Sequence, residues 1–210
     1  MQILIQDQPF EKIEFQAVLF DLDGTLVEST GLIRDILSHW AVEQGLDADA
    51  VLNFSHGKRT QDIVANFIHD ESCSLHYQKL TEKFLAASVH TQAIQAAATF
   101  IQVLNQHHVP WAVVSSSERE LIFARMQAAD LPMPEYVVAA EDIVQGKPNP
   151  EGYLNGAKLL HIPLEQCVVF EDSAAGIQAA QAAGAQVIVV GAEDAAYTHI
   201  SDFGQIKYLD

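Results

Sequence analysis

Cations are scarce in this chain. Its 11 lysines and arginines stand against 28 aspartates and glutamates, a formal net charge of −17. That balance argues against nucleic acid or an anionic membrane as partner, because both are gripped by basic surface. Cysteine is nearly absent as well. Cys73 and Cys167 lie far apart, with no CxxC pair and no disulfide framework, which fits two thiols kept reduced. No stretch approaches the roughly 18 apolar residues of a membrane span. The opening MQILIQDQPFEKIEF lacks the basic start and apolar run of a secretion signal. These absences lead to the expectation of a soluble, cytoplasmic protein. Apolar residues are plentiful: 49% of the chain is hydrophobic and 19% charged, a globular balance.

Five short apolar runs each stop at a turn or polar residue. They are QAVLF before Asp21, WAVV before Ser115, YVVAA before Glu141, CVVF before Glu171 and QVIVV before Gly191. Valine-rich runs of about five residues suit strands buried on both faces. Helical patterns separate them, over 93–106, 118–129, 151–160 and 174–183. In the first, Ile94, Ala97, Ala98, Ile101 and Leu104 share a face. In the last, Ser173 is placed to cap the start and Gly184 to end it. The alternation predicts an α/β fold, an open parallel Rossmann-like sheet with helices on both faces. Reactive residues in such a fold gather beyond the carboxyl ends of the strands. Residues 29–90 interrupt the alternation, with helical patterns over 32–44, 61–69 and 76–87 and no clear strand. A parallel crossover needs only about a dozen residues. The interruption therefore predicts a small inserted all-helical domain, 29–90, on a core made of 1–28 and 91–210.

Four motifs fall at predicted strand ends or helix starts. Asp21 and Asp23, in DLDGT, place two carboxylates directly after a buried strand, where charge is costly without a bound cation. A deprotonated Asp21 can attack phosphorus. Asp23 can protonate the leaving oxygen and then take a proton from water. Gly24 permits a tight turn there. Ser115 and Ser116, after WAVV, offer hydroxyls and the start of a helix to an anion. Lys147, in GKPNP, is a compact charge able to neutralise both a phosphate and a nucleophilic carboxylate. Glu171 and Asp172, after CVVF, add oxygen ligands for a hard cation, and magnesium suits a site with few carboxylates and a substrate phosphate. Taken singly, each motif also reads as a turn, a cap or a solvated charge. Their convergence on one sheet edge is the stronger signal.

DLDGT, a serine after a hydrophobic strand, GKPNP and an acidic ED pair followed by AAG, in that order, resemble the haloacid dehalogenase superfamily. The resemblance spans about Gln16 to Val190. It implies Asp21 as nucleophile, Asp23 as acid and base, and Ser115 and Lys147 as phosphoryl ligands. It implies magnesium on Asp21, the Asp23 carbonyl and Asp172, with Glu171 as ligand or neighbour. The helical insertion resembles this family's cap, and SHGKR and VPWAVVSSS resemble its sugar-phosphate branch, which includes 2-deoxyglucose-6-phosphate phosphatases. Dehalogenases of the superfamily lack the second aspartate, so Asp23 favours phosphoryl transfer. β-Phosphoglucomutases carry a histidine at about the position of Ile33, which counts against a phosphomutase, the alternative reading. A catalytically idle phosphate-binding regulator is disfavoured by the full set of catalytic residues. In the insertion, His56, Lys58 and Arg59 are either specificity residues or a solvated basic turn. The expected partner is a small phosphate ester, with the protein a monomer or weak oligomer.

Overall fold

The computed structural model describes residues 1–6, 12–191 and 197–209. Strands β1 (Gln2–Ile5) and β2 (Ile13–Glu14) open the chain and pair with its last strand as a small antiparallel sheet. Next come β3 (Ala17–Phe20) and β4 (Val27–Glu28). Four helices follow: α1 (Thr30–Glu43), α2 (Ala48–Ser55), α3 (Thr60–Phe67) and α4 (Cys73–Ala87). The chain then returns through β5 (Gln92–Ala93), which pairs antiparallel with β4. The remainder alternates helix and strand as far as β9 and then adds two strands: α5 (Ala97–Gln106), β6 (Trp111–Val114), α6 (Arg119–Ala128), β7 (Tyr136–Val138), α7 (Glu151–Leu160), β8 (Cys167–Glu171), α8 (Ala174–Ala183), β9 (Gln186–Val190), β10 (Thr198–Ile200) and β11 (Ile206–Leu209).

The main sheet has six parallel strands in the order β10-β9-β8-β3-β6-β7. It contains all five strands expected from the apolar runs, plus β10. Every residue of β3, β6 and β8 is buried. The two-residue period of a strand divides their side chains between two layers. Val18, Phe20, Val113, Val168 and Phe170 face α5, α6 and the small sheet, joined by Phe100, Ile122 and Phe203. Ala17, Leu19, Ala112, Val114 and Val169 face Tyr153 and Ala157 of α7 and Ala179 and Ala180 of α8. The first layer is rich in rings: Phe20 stacks on Phe170 at 5.4 Å and meets Phe100 edge-on at 5.9 Å. Such pairs add to the stabilisation from area burial alone.

Helices α1–α4 surround their own apolar cluster, including Leu37, Trp40, Val51, Ile63, Leu80 and Phe84; Leu121 of α6 joins it. Three differences from the sequence reading have local causes. The helix expected from residue 93 begins at Ala97, because Gln92–Ala93 is held as a strand by β4 and Ala96 turns left-handed at φ 61°. A fourth helix, α2, precedes the turn at Gly57, and the Asp47 side chain caps it by accepting from the N–H groups of Asp49 and Ala50. The small sheet joins residues from the two ends of the described chain, a pairing that local periodicity cannot reveal. No helix among the described residues is long and apolar enough to cross a membrane. Both cysteines are free thiols, and burial pushes the Cys167 thiol up to about 11.

Candidate active site

The ladder between β3 and β8 runs one residue beyond β3: the Asp21 N–H donates to the Phe170 carbonyl at 3.0 Å. Asp21 is thereby fixed where the buried strand ends, with only 6% of its surface exposed. Lys147 reaches it from the loop between β7 and α7. Its Nζ donates to Asp21 Oδ1 at 2.5 Å and to Glu171 Oε1 at 2.6 Å. Glu171 is fully buried. Its Oε1 also accepts from the Tyr153 hydroxyl at 3.1 Å, and its Oε2 accepts from the Ser173 N–H at 2.7 Å and hydroxyl at 3.1 Å. Both oxygens of Glu171 thus already hold protein donors, an arrangement suited to aiming Lys147.

One ammonium is shared among several acids. Burial works against the Lys147 charge, but Asp21 and Glu171 outweigh it and hold the group well above its usual range. Burial pushes the Asp21 carboxyl well above the ordinary carboxylate range; Lys147 opposes this, while Glu171, Asp172 and Asp23 add to it. Asp172 is raised as well, chiefly by burial. Carboxylate oxygens of Asp21, Glu171 and Asp172 lie within 4.8 Å of one another. A buried cluster of oxygens with too little positive charge is the donor set a hard divalent cation prefers. Gly24 keeps the cluster tight. It turns at φ +89°, and a Cβ there would stand 2.1 Å from Asp172 Oδ2.

Asp23 points to a different set of partners. Its Oδ1 accepts from the Ser29 hydroxyl at 2.5 Å. Its Oδ2 accepts from the Ser117 hydroxyl at 2.8 Å and from Arg125 Nη1 at 2.7 Å. Ser115 is buried at the end of β6, and its Oγ accepts from the Ser117 N–H at 3.0 Å.

The segment 56–60 crosses from the helical layer to these loops. His56 Nε2 lies 3.1 Å from Asp172 Oδ2, and this hydrogen bond raises the imidazole above its ordinary value. The Gly57 carbonyl accepts from the Ser116 hydroxyl at 2.7 Å. Lys58 Nζ donates to the Lys147 carbonyl at 2.8 Å. Arg59 is committed elsewhere: it forks onto Asp62 and donates to the carbonyls of Ile143 and Val144. A cavity of about 560 Å³ lies between the layers. Asp21, Asp23, Ser115, Ser116, His56, Lys58 and Asp172 line it, with Ile33, Leu52 and Phe84 on the helical side. Of the residues expected from sequence, Asp21, Lys147, Glu171, Asp172 and His56 form one connected cluster. Ser116 and Arg59 have their side chains engaged in contacts between the layers.

Four residues at the site were beyond the sequence reading as functional positions. Ser117 lies within the serine run, which does not show what its hydroxyl meets. Ser29 stood just past the nucleophile motif. Tyr153 and Arg125 carry no motif at all; they sit on α7 and α6 among residues that read as ordinary core.

Residues 18–190 match the family described as haloacid dehalogenase-like hydrolase. The chain belongs to this family. The hydrolase is 39% identical over 177 residues to hexitol phosphatase A of Escherichia coli (strain K12), which covers 83% of this chain and 82% of that one. It is 33% identical over 189 residues to glycerol-1-phosphate phosphohydrolase 1 of Saccharomyces cerevisiae, covering 84% and 74%. A solved HAD family hydrolase from Deinococcus radiodurans R1, with bound phosphate and sodium, superimposes with a TM-score of 0.62 at 33% identity, over 84% of this hydrolase and 80% of that chain.

Proposed function

We propose that the hydrolase removes phosphate from small phosphate monoesters of the sugar and polyol class, with Asp21 as nucleophile. The observation that carries the reading is the buried triad Asp21–Lys147–Glu171 at the strand ends, with Asp23 held apart by its own three donors. In the first step an Asp21 oxygen bonds to phosphorus, the ester P–O bond breaks, and Asp23 delivers a proton to the leaving oxygen. In the second, Asp23 removes a proton from water as that water attacks phosphorus and Asp21 is released. Lys147 and the hydroxyl of Ser115 hold the transferring phosphoryl oxygens, stabilising charge where it develops. Magnesium would be held by Asp21, Asp172 and the Asp23 carbonyl, and supplies the charge that brings an anionic ester beside these carboxylates.

Residues 29–90 act in this proposal as a cap over the core, 1–28 and 91–210. Asn53, Arg34 and His56 line the cavity from the helical side and offer hydrogen bonds to a hydroxylated leaving group. Ile33 lines it too and cannot exchange protons with a substrate hydroxyl, which favours hydrolysis over phosphoryl return to the sugar. The purified protein is expected to release phosphate from hexitol, glycerol or 4-nitrophenyl phosphate when magnesium is supplied and to stop when it is chelated. Asp21→Asn abolishes release. Full activity in that variant, or activity indifferent to chelation, would sink the mechanism.

A further inference from the structure

We infer that Arg125 is a positioning residue for Asp23, fixing one carboxylate oxygen so that the other is left to exchange the proton. The inference rests on the phosphatase reading above and assigns it a residue outside the family motifs. Arg125 lies on α6 among the buried side chains Leu121, Ile122 and Met126, and only 3% of its surface is exposed. A guanidinium is rarely buried without a specific anionic partner. Here the partner is Asp23 Oδ2, at 2.7 Å.

The same Nη1 also donates to Ser117 Oγ at 2.8 Å, and that hydroxyl donates to the same Asp23 oxygen at 2.8 Å. The three groups form a closed triangle. A carboxylate oxygen has two lone pairs in its plane. Those of Oδ2 are both taken, by Arg125 and by Ser117. The exchangeable proton therefore belongs on Oδ1, whose donor among the described residues is the Ser29 hydroxyl at 2.5 Å. A hydroxyl can turn and accept from that proton, whereas a guanidinium cannot. Arg125 thus locks the rotation of the Asp23 carboxyl and assigns the two oxygens separate duties. Both residues border the central cavity.

A merely structural ion pair and a positioning one differ in how they treat leaving groups. When the ester P–O bond breaks, its electron pair stays on the leaving oxygen. An alkoxide needs the Asp23 proton, while a 4-nitrophenolate leaves without it. The test compares kcat/KM for glycerol or hexitol phosphate with that for 4-nitrophenyl phosphate. Arg125→Met keeps the length and removes the charge. Its kcat/KM on the alkyl esters is expected to fall about 100-fold or more, the scale of general-acid catalysis, with the aryl ester reduced less than about threefold. Arg125→Lys should recover part of the alkyl loss. Ser117→Ala, which removes the second donor to the same oxygen, should shift the ratio in the same direction and serves if Arg125→Met does not fold. Equal losses on both ester types in a folded variant overturn the role of Arg125 and leave the phosphatase reading standing. A wild type inactive on both types with magnesium overturns the two together.

Discussion

Gly24 turns the chain directly after the two aspartates, at φ +89°, with no room for a side chain: a Cβ would meet Asp172 Oδ2 at 2.1 Å and Cγ at 2.6 Å. Gly24→Ala combines a left-handed backbone with a displaced Asp172. The backbone alone costs about 1–2 kcal/mol. The expected outcome is a lower melting temperature together with a higher magnesium concentration for half-maximal activity, read from thermal unfolding and a metal titration. A variant that melts earlier with an unchanged metal requirement would mean that Asp172 moves aside harmlessly. At this scale the sequence was informative wherever a residue's place in the site follows from its position at a strand end. Asp21 and Asp172 are such residues, whereas Lys147, in the loop between β7 and α7, is marked by its GKPNP motif. Tyr153 and Arg125 are different. A tyrosine and an arginine on amphipathic helices could face any neighbour, and which carboxylate each one meets depends on how α7 and α6 pack against the sheet. No local pattern encodes that rotation.

Among the elements, α8 links scaffold to site most directly. Ser173 caps it by accepting from the Gly176 N–H at 3.1 Å, and the same hydroxyl donates to Glu171 Oε2 at 3.1 Å. Ser173→Ala is expected to cost about 1 kcal/mol through the lost cap. A lower denaturant midpoint with an unchanged slope would show it. The cap was visible in the sequence, and so were the bounds of α7 and α8, because serine, proline and glycine mark their ends. The opposite holds for β4 and β5. Each is two residues long, and they are strands only because they lie beside one another. The helix α2 had readable signals in Asp47 and Gly57, yet eight residues give too few turns for periodicity to stand out.

Over the whole molecule, the scarcity of cations gives the placement of each more weight. Arg34, His56, Lys58 and Arg125 border the cavity, and Lys147 reaches into the acid cluster beside it. Charges on a distant surface are screened within about 8 Å at physiological salt, so this local set governs the approach of an anion. The two layers also share a buried acid. Glu118, at the start of α6, is 5% exposed and accepts from Thr60 of α3 at 3.5 Å. Burial raises its carboxyl above the ordinary 4.5, and Glu141 adds to this; hydrogen bonds from its own backbone, Tyr77 and Thr60 work against it. Burial also pushes the Tyr77 hydroxyl up to about 12, with Glu118 contributing. An acid raised in the folded state binds its proton more tightly there than when unfolded. Its contribution to stability is full below about pH 4.5 and is lost as pH climbs through the folded value. Glu118→Gln removes that slope. Denaturant midpoints of the two proteins are expected to separate as pH rises toward 7 and to converge near pH 4. Parallel curves would remove Glu118 as the source.

The chain leaves the sheet layer through β4 and returns through β5, and Val27 faces Ala93 while Glu28 faces Gln92. Departure and return are therefore neighbours, and the intervening helices bring an entropic cost of loop closure that grows only with the logarithm of their length. A gene can lengthen, shorten or exchange that excursion while the doorway stays the same width. On the proposed function, heritable change in what the cavity admits is thus separated from heritable change in the bond-breaking groups beneath it, and selection could explore new esters without rebuilding the chemistry.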